Sequence, residues 1–187
     1  NFSTYSVEFL KLYQAVCSEI DVIGKMMAFQ VNSSFNPEDT RNNIYKWWYE
    51  IQDLFTFTED YNDVIKDDNS IIRKKLQEAE CCFIDTYKIS PWKNFRIETY
   101  TAKDNSHRYR LLGSSSIPFW WSDYNKVKHN RTSAIDDSST RINYSKANLK
   151  NVSYAFTALY VLEVNYMEAV GTQNDLEAFA DFSKLFV

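Results

Sequence analysis

The stretch WWSDYNKVKHNR, Trp120 to Arg131, gathers the side chains of this chain best suited to chemistry on phosphate. It holds one of the two histidines, three basic residues and a tryptophan pair. On a helix each residue advances about 100°, so Asn125 and His129 fall one turn apart on one face. Lys126 and Lys128 flank that column, and Arg131 lies just beyond it. Trp120, Trp121, Tyr124 and Val127 fall on the other side, where they can anchor the helix to a core. The wet ridge then carries an amide, an imidazole and several cations. Lys126, Lys128 and Arg131 would hold a phosphate, Asn125 would orient it, and His129 would act as acid or base. The matching reaction is cleavage of RNA with the 2′-hydroxyl as internal nucleophile, which needs no metal and no cofactor. The bland alternative is a solvated helix end, because Lys and Arg favour a helix C-terminus on electrostatic grounds alone.

Other residues make weaker claims. His107, in SHRYR, has no partners at metal-ligand spacing and reads as a surface hairpin residue. Asp21 and Lys25 are four apart, the spacing of a plain helix ion pair. The three glycines are isolated, so no phosphate-cradling loop exists. Trp47-Trp48 and Trp120-Trp121 could stack bases, but aromatics at helical spacing are more often core.

A chain of 187 residues, 44% hydrophobic and 17% aromatic, is expected to form one domain, 1–187, with a sizeable core. Only three Gly and three Pro argue against a loop-rich chain or a many-stranded barrel. No apolar run is long enough to span a membrane, and the start, NFSTYSVEFL, lacks the order of a signal peptide. With no initiator Met, the start is expected to be trimmed. Cys81 and Cys82 are adjacent and Cys17 lies on an apolar stripe, so the thiols read as core residues in a reducing, cytoplasmic setting. Five Asn-X-Ser/Thr patterns, at Asn1, Asn32, Asn130, Asn143 and Asn151, are the one hint of a secreted or surface domain.

The formal net charge of −4 is uneven. Between Lys93 and Arg131 eight basic residues face three acids, a local excess of five, which leaves nine net negative charges elsewhere. That suits a positive patch facing an anion on an acidic body.

The elements that must position the ridge follow from periodicity. Phe9, Tyr13, Val16, Ile20, Ile23 and Met27 predict a first helix over 4–31. Asn36-Pro37-Glu38-Asp39 reads as the start of a second helix, carrying Ile44, Trp47, Trp48, Ile51, Leu54 and Phe55 on one face. A third helix is expected over 70–86, after an acidic loop or frayed turn over 58–68. FRIETYTA and HRYRLL alternate in polarity around KDNS and predict a β-hairpin. Pro118 opens the helix of the ridge. After a polar loop over 132–143, a long helix capped at Asn143 or Ser145 runs to Val170, and a short tail helix occupies 175–187. The expected fold is all-α, an up-and-down bundle of four to five helices with a small hairpin insertion near 95–112.

The string Tyr124-Asn125-Lys126-Val127-Lys128-His129 resembles the motif of the HEPN domains, small all-helical nucleotide-binding and ribonuclease modules of prokaryotic defence and toxin–antitoxin systems. That motif is Arg, a polar residue such as Asn, three further residues, then His, close to a junction between late helices. The spacing, Asn125 and His129 match; Tyr124 stands where the family has Arg. The following KANLKNVSYAFTALYVLEVNY is similar to the core helix that succeeds the motif. The resemblance covers roughly Ser116 to Met167. It implies a homodimer with a composite site, RNA or a nucleotide as ligand, and an antitoxin or other protein as partner; that no membrane is expected rests on the lack of a long apolar run. With the Arg absent, Lys128 or Arg131 would have to supply the cation, or the domain binds without cleaving. The rival reading is a non-catalytic helical interaction protein.

Overall fold

The computed structural model describes residues 3–56, 64–65, 89, 91–134 and 142–170. Helix α1 spans Val7–Val31, and the Ser6 hydroxyl accepts from the Phe9 N–H at 3.1 Å, satisfying one of the free amides of the first turn. Its seam is the one periodicity predicts: Tyr13, Val16, Ile20 and Met27 are buried, and Phe9 and Ile23 lie partly buried against them. Cys17 is fully buried on the same stripe.

Helix α2 spans Ile44–Ile51 and starts later than expected. The Asn36-Pro37-Glu38-Asp39 signal builds turns instead. Asn36 Oδ1 accepts from the Glu38 N–H, and Asp39 Oδ1 accepts from the Arg41 N–H. The working cap is Asn43, whose Oδ1 accepts from the Tyr45 and Lys46 amides at 3.1 and 3.3 Å. Asn and Asp side chains cap a turn as readily as a helix, so the same residues serve either outcome.

Two strand pairs follow. β1 (Phe55–Thr56) pairs antiparallel with β2 (Val64–Ile65), inside the stretch read as an acidic loop or frayed turn. β3 (Ile97–Thr101) pairs antiparallel with β4 (His107–Leu111), the expected hairpin, in register from Ile97–Leu111 to Thr101–His107. Asn105 takes a φ of 59° in its turn, a left-handed position that Asn tolerates. The hairpin is more than an insertion on a bundle, because its base belongs to the core. Phe95 and Ile97 are buried, and the Gln52 side-chain amide both donates to Ile97 O and accepts from Ile97 N–H, each at 2.9 Å.

Helix α3 (Phe119–Asn130) opens directly after Pro118, and α4 (Leu149–Val170) closes the described chain. Asn143 and Ser145 belong to a short 3-10 turn ahead of α4, and Asn148 Oδ1 accepts from the Asn151 N–H at 3.0 Å, which moves the helix start downstream of the predicted caps. Helix α1 packs along α4 and α2, and α3 rests on α4 and α1. The protein is mostly helical with a hairpin. The helices expected over 70–86 and 175–187 and most of the loop over 132–143 lie outside the described residues.

At the centre are the five tryptophans. Trp47, Trp48, Trp92 and Trp120 are fully buried and Trp121 nearly so, the core outcome of the two Trp pairs. Trp48 stacks on Trp92 with ring centroids 4.5 Å apart, and Trp92 meets Trp120 edge-on at 5.2 Å. Their N–H groups find acceptors: Phe95 O for Trp48, Pro91 O for Trp120 and Asp21 Oδ1 for Trp47. Asp21 also pairs with Lys25 at 2.5 Å, the expected helix ion pair. Gly24 is required where α1 meets α2, since a Cβ there would sit 2.6 Å from the Trp47 ring.

Candidate functional site

Helix α3 is divided as the sequence implies. Trp120, Trp121, Tyr124 and Val127 are buried, while Asn125, Lys126, Lys128, His129 and Arg131 are exposed. The division follows from period: one apolar stripe seats the helix, and the residues a third of a turn away must face water.

The end of α3 that carries His129 is held rigidly. Terminal carbonyls of a helix lack internal partners. Here Asn130 O accepts from Asn143 Nδ2 at 3.0 Å and from the Ser133 N–H at 3.0 Å. Arg131 O accepts from the Tyr144 N–H at 2.9 Å. Farther up, Asp123 ties α3 to the start of α4: its Oδ1 pairs with Lys146 at 2.7 Å and its Oδ2 accepts from Asn151 Nδ2 at 3.1 Å.

The candidate cations are not equivalent. Lys126 leans back to Asp123 at 3.7 Å. Lys128 lies over the Tyr124 ring, 5.6 Å from its centroid, a cation–π contact. Among the described residues, the side chains of Asn125, His129 and Arg131 make no hydrogen bond or ion pair. The structure therefore brings Asn125 and His129 to one exposed column. It sets Lys128 on the neighbouring column with Tyr124 and leaves Arg131 past the helix end.

Tyr124, where the motif that this stretch resembles has Arg, faces inward. Its ring meets Tyr13 edge-on at 5.8 Å and lies 5.4 Å from Trp121. Burial, with Cys17 and Asp21 nearby, pushes its hydroxyl up to about 12. Tyr13, whose hydroxyl donates to Trp120 O, and the Cys17 thiol are also raised by burial. These groups are protonated at neutral pH and serve packing. Position 124 therefore supplies no second catalytic group to His129.

Of the five glycosylation patterns, Asn143 and Asn151 are buried and hydrogen-bonded, which makes them poor acceptors. Among the described residues no three His, Cys, Asp or Glu side chains converge as metal ligands would, and no helix is long and apolar enough to cross a membrane.

Sequence reasoning missed one feature. His107 is exposed on the hairpin as expected, but it borders a groove with Lys46 and Tyr45 of α2. Only the pairing of β3 with β4 and the seating of that hairpin on α2 bring these residues together, and no spacing along the chain announces it. Set against protein-family models, curated proteins and solved structures, the chain matches none of them.

Proposed function

We propose that this chain is a HEPN-like, RNA-directed or nucleotide-binding module of a prokaryotic defence or toxin–antitoxin-type system, acting from the cytoplasm as a homodimer. The observation that carries the proposal is the exposed Asn125–His129 column at a fixed helix end, bordered by Lys126, Lys128 and Arg131. The up-and-down bundle belongs to the same reading, as does an antitoxin or other protein partner.

The geometry favours binding over cleavage within one protomer. Phosphate capture needs exposed cations and an orienting amide, and the ridge offers both. Cleavage also needs a second group across from His129, and Tyr124 is buried. On this reading a second copy must bring its own Lys128 or Arg131 to His129 before any 2′-hydroxyl attack proceeds. A non-catalytic interaction surface is the second reading, favoured by the same burial of Tyr124.

The test is incubation of a mixed RNA pool with wild type and His129→Ala, without divalent metal, across protein concentrations that span dimerisation. Cyclic-phosphate ends produced by wild type and lost in the variant support a metal-independent endoribonuclease. RNA retained without cleavage, and released by Lys128→Glu with Arg131→Glu, supports the binding module. RNA neither bound nor cut leaves the protein-interaction reading.

A further inference from the structure

We infer that the groove between the first turn of α2 and β4 is a binding site for one nucleotide unit of a single-stranded RNA. The phosphate would lie on Lys46 and His107, and the base against Tyr45. The groove, of about 260 Å³, is lined by Asn43, Tyr45, Lys46, His107, Arg108 and Tyr109. Its position is separate from the α3 ridge. Only the choice of RNA as the nucleic acid rests on the functional reading above.

The walls are fixed before any ligand arrives. Tyr45 meets Phe95 of the core edge-on at 6.3 Å, and Tyr109 meets Tyr49 of α2 edge-on at 5.5 Å. Gln52 and the Trp48 N–H bind the base of the hairpin to the end of α2. Pairing of Thr101 with His107 and of Thr99 with Tyr109 puts His107 and Tyr109 on the same face of the hairpin, the face that meets α2.

The charge in the groove is available. Of the neighbouring acids, Asp39 pairs with Arg41 at 2.9 Å while its field also reaches Lys46, Asp104 pairs with Arg108 at 2.7 Å, and Glu50, whose field reaches Tyr109, accepts from Asn32 at 3.1 Å. Among the described residues Lys46 and His107 have no salt-bridge partner. The amides of the first turn of α2 are taken by Asn43, so an anion would be held by the side chains and not by the helix end. A cationic groove with tyrosine faces is the chemistry of single-strand recognition, in which phosphate is held by charge and the base by stacking. Its size suits one unstacked nucleotide and not a duplex.

The experiment is fluorescence anisotropy of fluorescein-labelled hexauridylate with the full chain. The variants are Lys46→Glu with His107→Glu in the groove, Tyr45→Leu in its wall, and Lys126→Glu with Arg131→Glu on the ridge. Thermal melts of each variant check that the fold is kept. The groove charge pair should weaken binding at least about tenfold, and Tyr45→Leu at least about fivefold, which retains bulk against Phe95 but removes the stacking face. Unlabelled uridine 5′-monophosphate as competitor separates the sources: displacement at hexamer-like concentrations assigns a free nucleotide, and much weaker displacement assigns a strand. Loss on charge reversal with no effect of Tyr45→Leu reduces the groove to a general anion patch and overturns the inference. Binding lost only in the ridge variant overturns it while supporting the ridge, and binding lost only in the groove variants does the reverse. No binding by folded wild type overturns both.

Discussion

The two sides of α3 differ by less than half a turn of helix and obey different rules. On the inner side every large residue is fixed by several neighbours: Trp120 is enclosed, its N–H bonded to Pro91 O, its ring against Trp92 and Trp121. On the outer side Asn125 and His129 are fixed only through the backbone that carries them. The inner side determines where the outer side is, and the outer side is free to meet a ligand. Substitutions should separate cleanly into those that change stability and those that change binding.

The sharpest contrast comes from Trp120→Ala, which empties the middle of the tryptophan cluster. It should cost about 3–5 kcal/mol and bring the denaturation midpoint down in urea titration. A loss under about 1 kcal/mol would mean that the inner side is not the anchor. Next in size is Asp123→Ala, at the seam between the two sides. It strips Lys146 and Asn151 of a shared acceptor, and should cost about 1–2 kcal/mol and loosen the start of α4, seen as faster amide exchange there.

A smaller effect appears only in alkali. The Tyr124 hydroxyl is raised from an ordinary 10 to about 12, so between those values the folded state binds more protons than the unfolded one. Stability is therefore intact below about pH 10 and falls as pH rises from 10 towards 12. Tyr124→Phe should flatten part of that fall in thermal melts and leave the neutral-pH melt nearly unchanged. The smallest effect is expected on the outer side: Asn125→Ala and His129→Ala should each stay within about 0.5 kcal/mol of wild type. A larger loss at either would show that the ridge is structural, and the division between the two sides would fail.

The same division explains what could be read from the chain. The faces of α3, the α1 seam and the hairpin were legible because each rests on a local period, 3.6 or 2 residues, that burial enforces. The start of α2 was not, because Asn36 and Asp39 carry the chemistry of a cap and spend it on turns, and Asn43 does the capping. The start of α4 slipped in the same way, from Asn143 to Asn148. The hairpin was visible, but its share in the core was not, because Gln52 reaches Ile97 across a long separation in sequence. The ridge residues were legible as a set, and so was the inward side of Tyr124; the particular partners of its ring, Tyr13 from α1 and Trp121, were not, because one of them comes from a distant helix. The groove of Lys46 and His107 had no local signature at all.

The crowding of all five tryptophans into one cluster has a consequence for how this protein will look to light. Indoles stacked as Trp48 and Trp92 are couple their electronic transitions, and that coupling adds an exciton signal to the far-ultraviolet dichroism on which helix content is usually judged. A spectrum of this protein will therefore misstate its helicity. Excitation will also migrate among neighbouring rings before emission, so steady-state fluorescence will report the cluster as one chromophore. Its red shift on unfolding will track the separation of α1, α2 and α3 from one another, and a ligand arriving at either basic surface will leave it nearly silent.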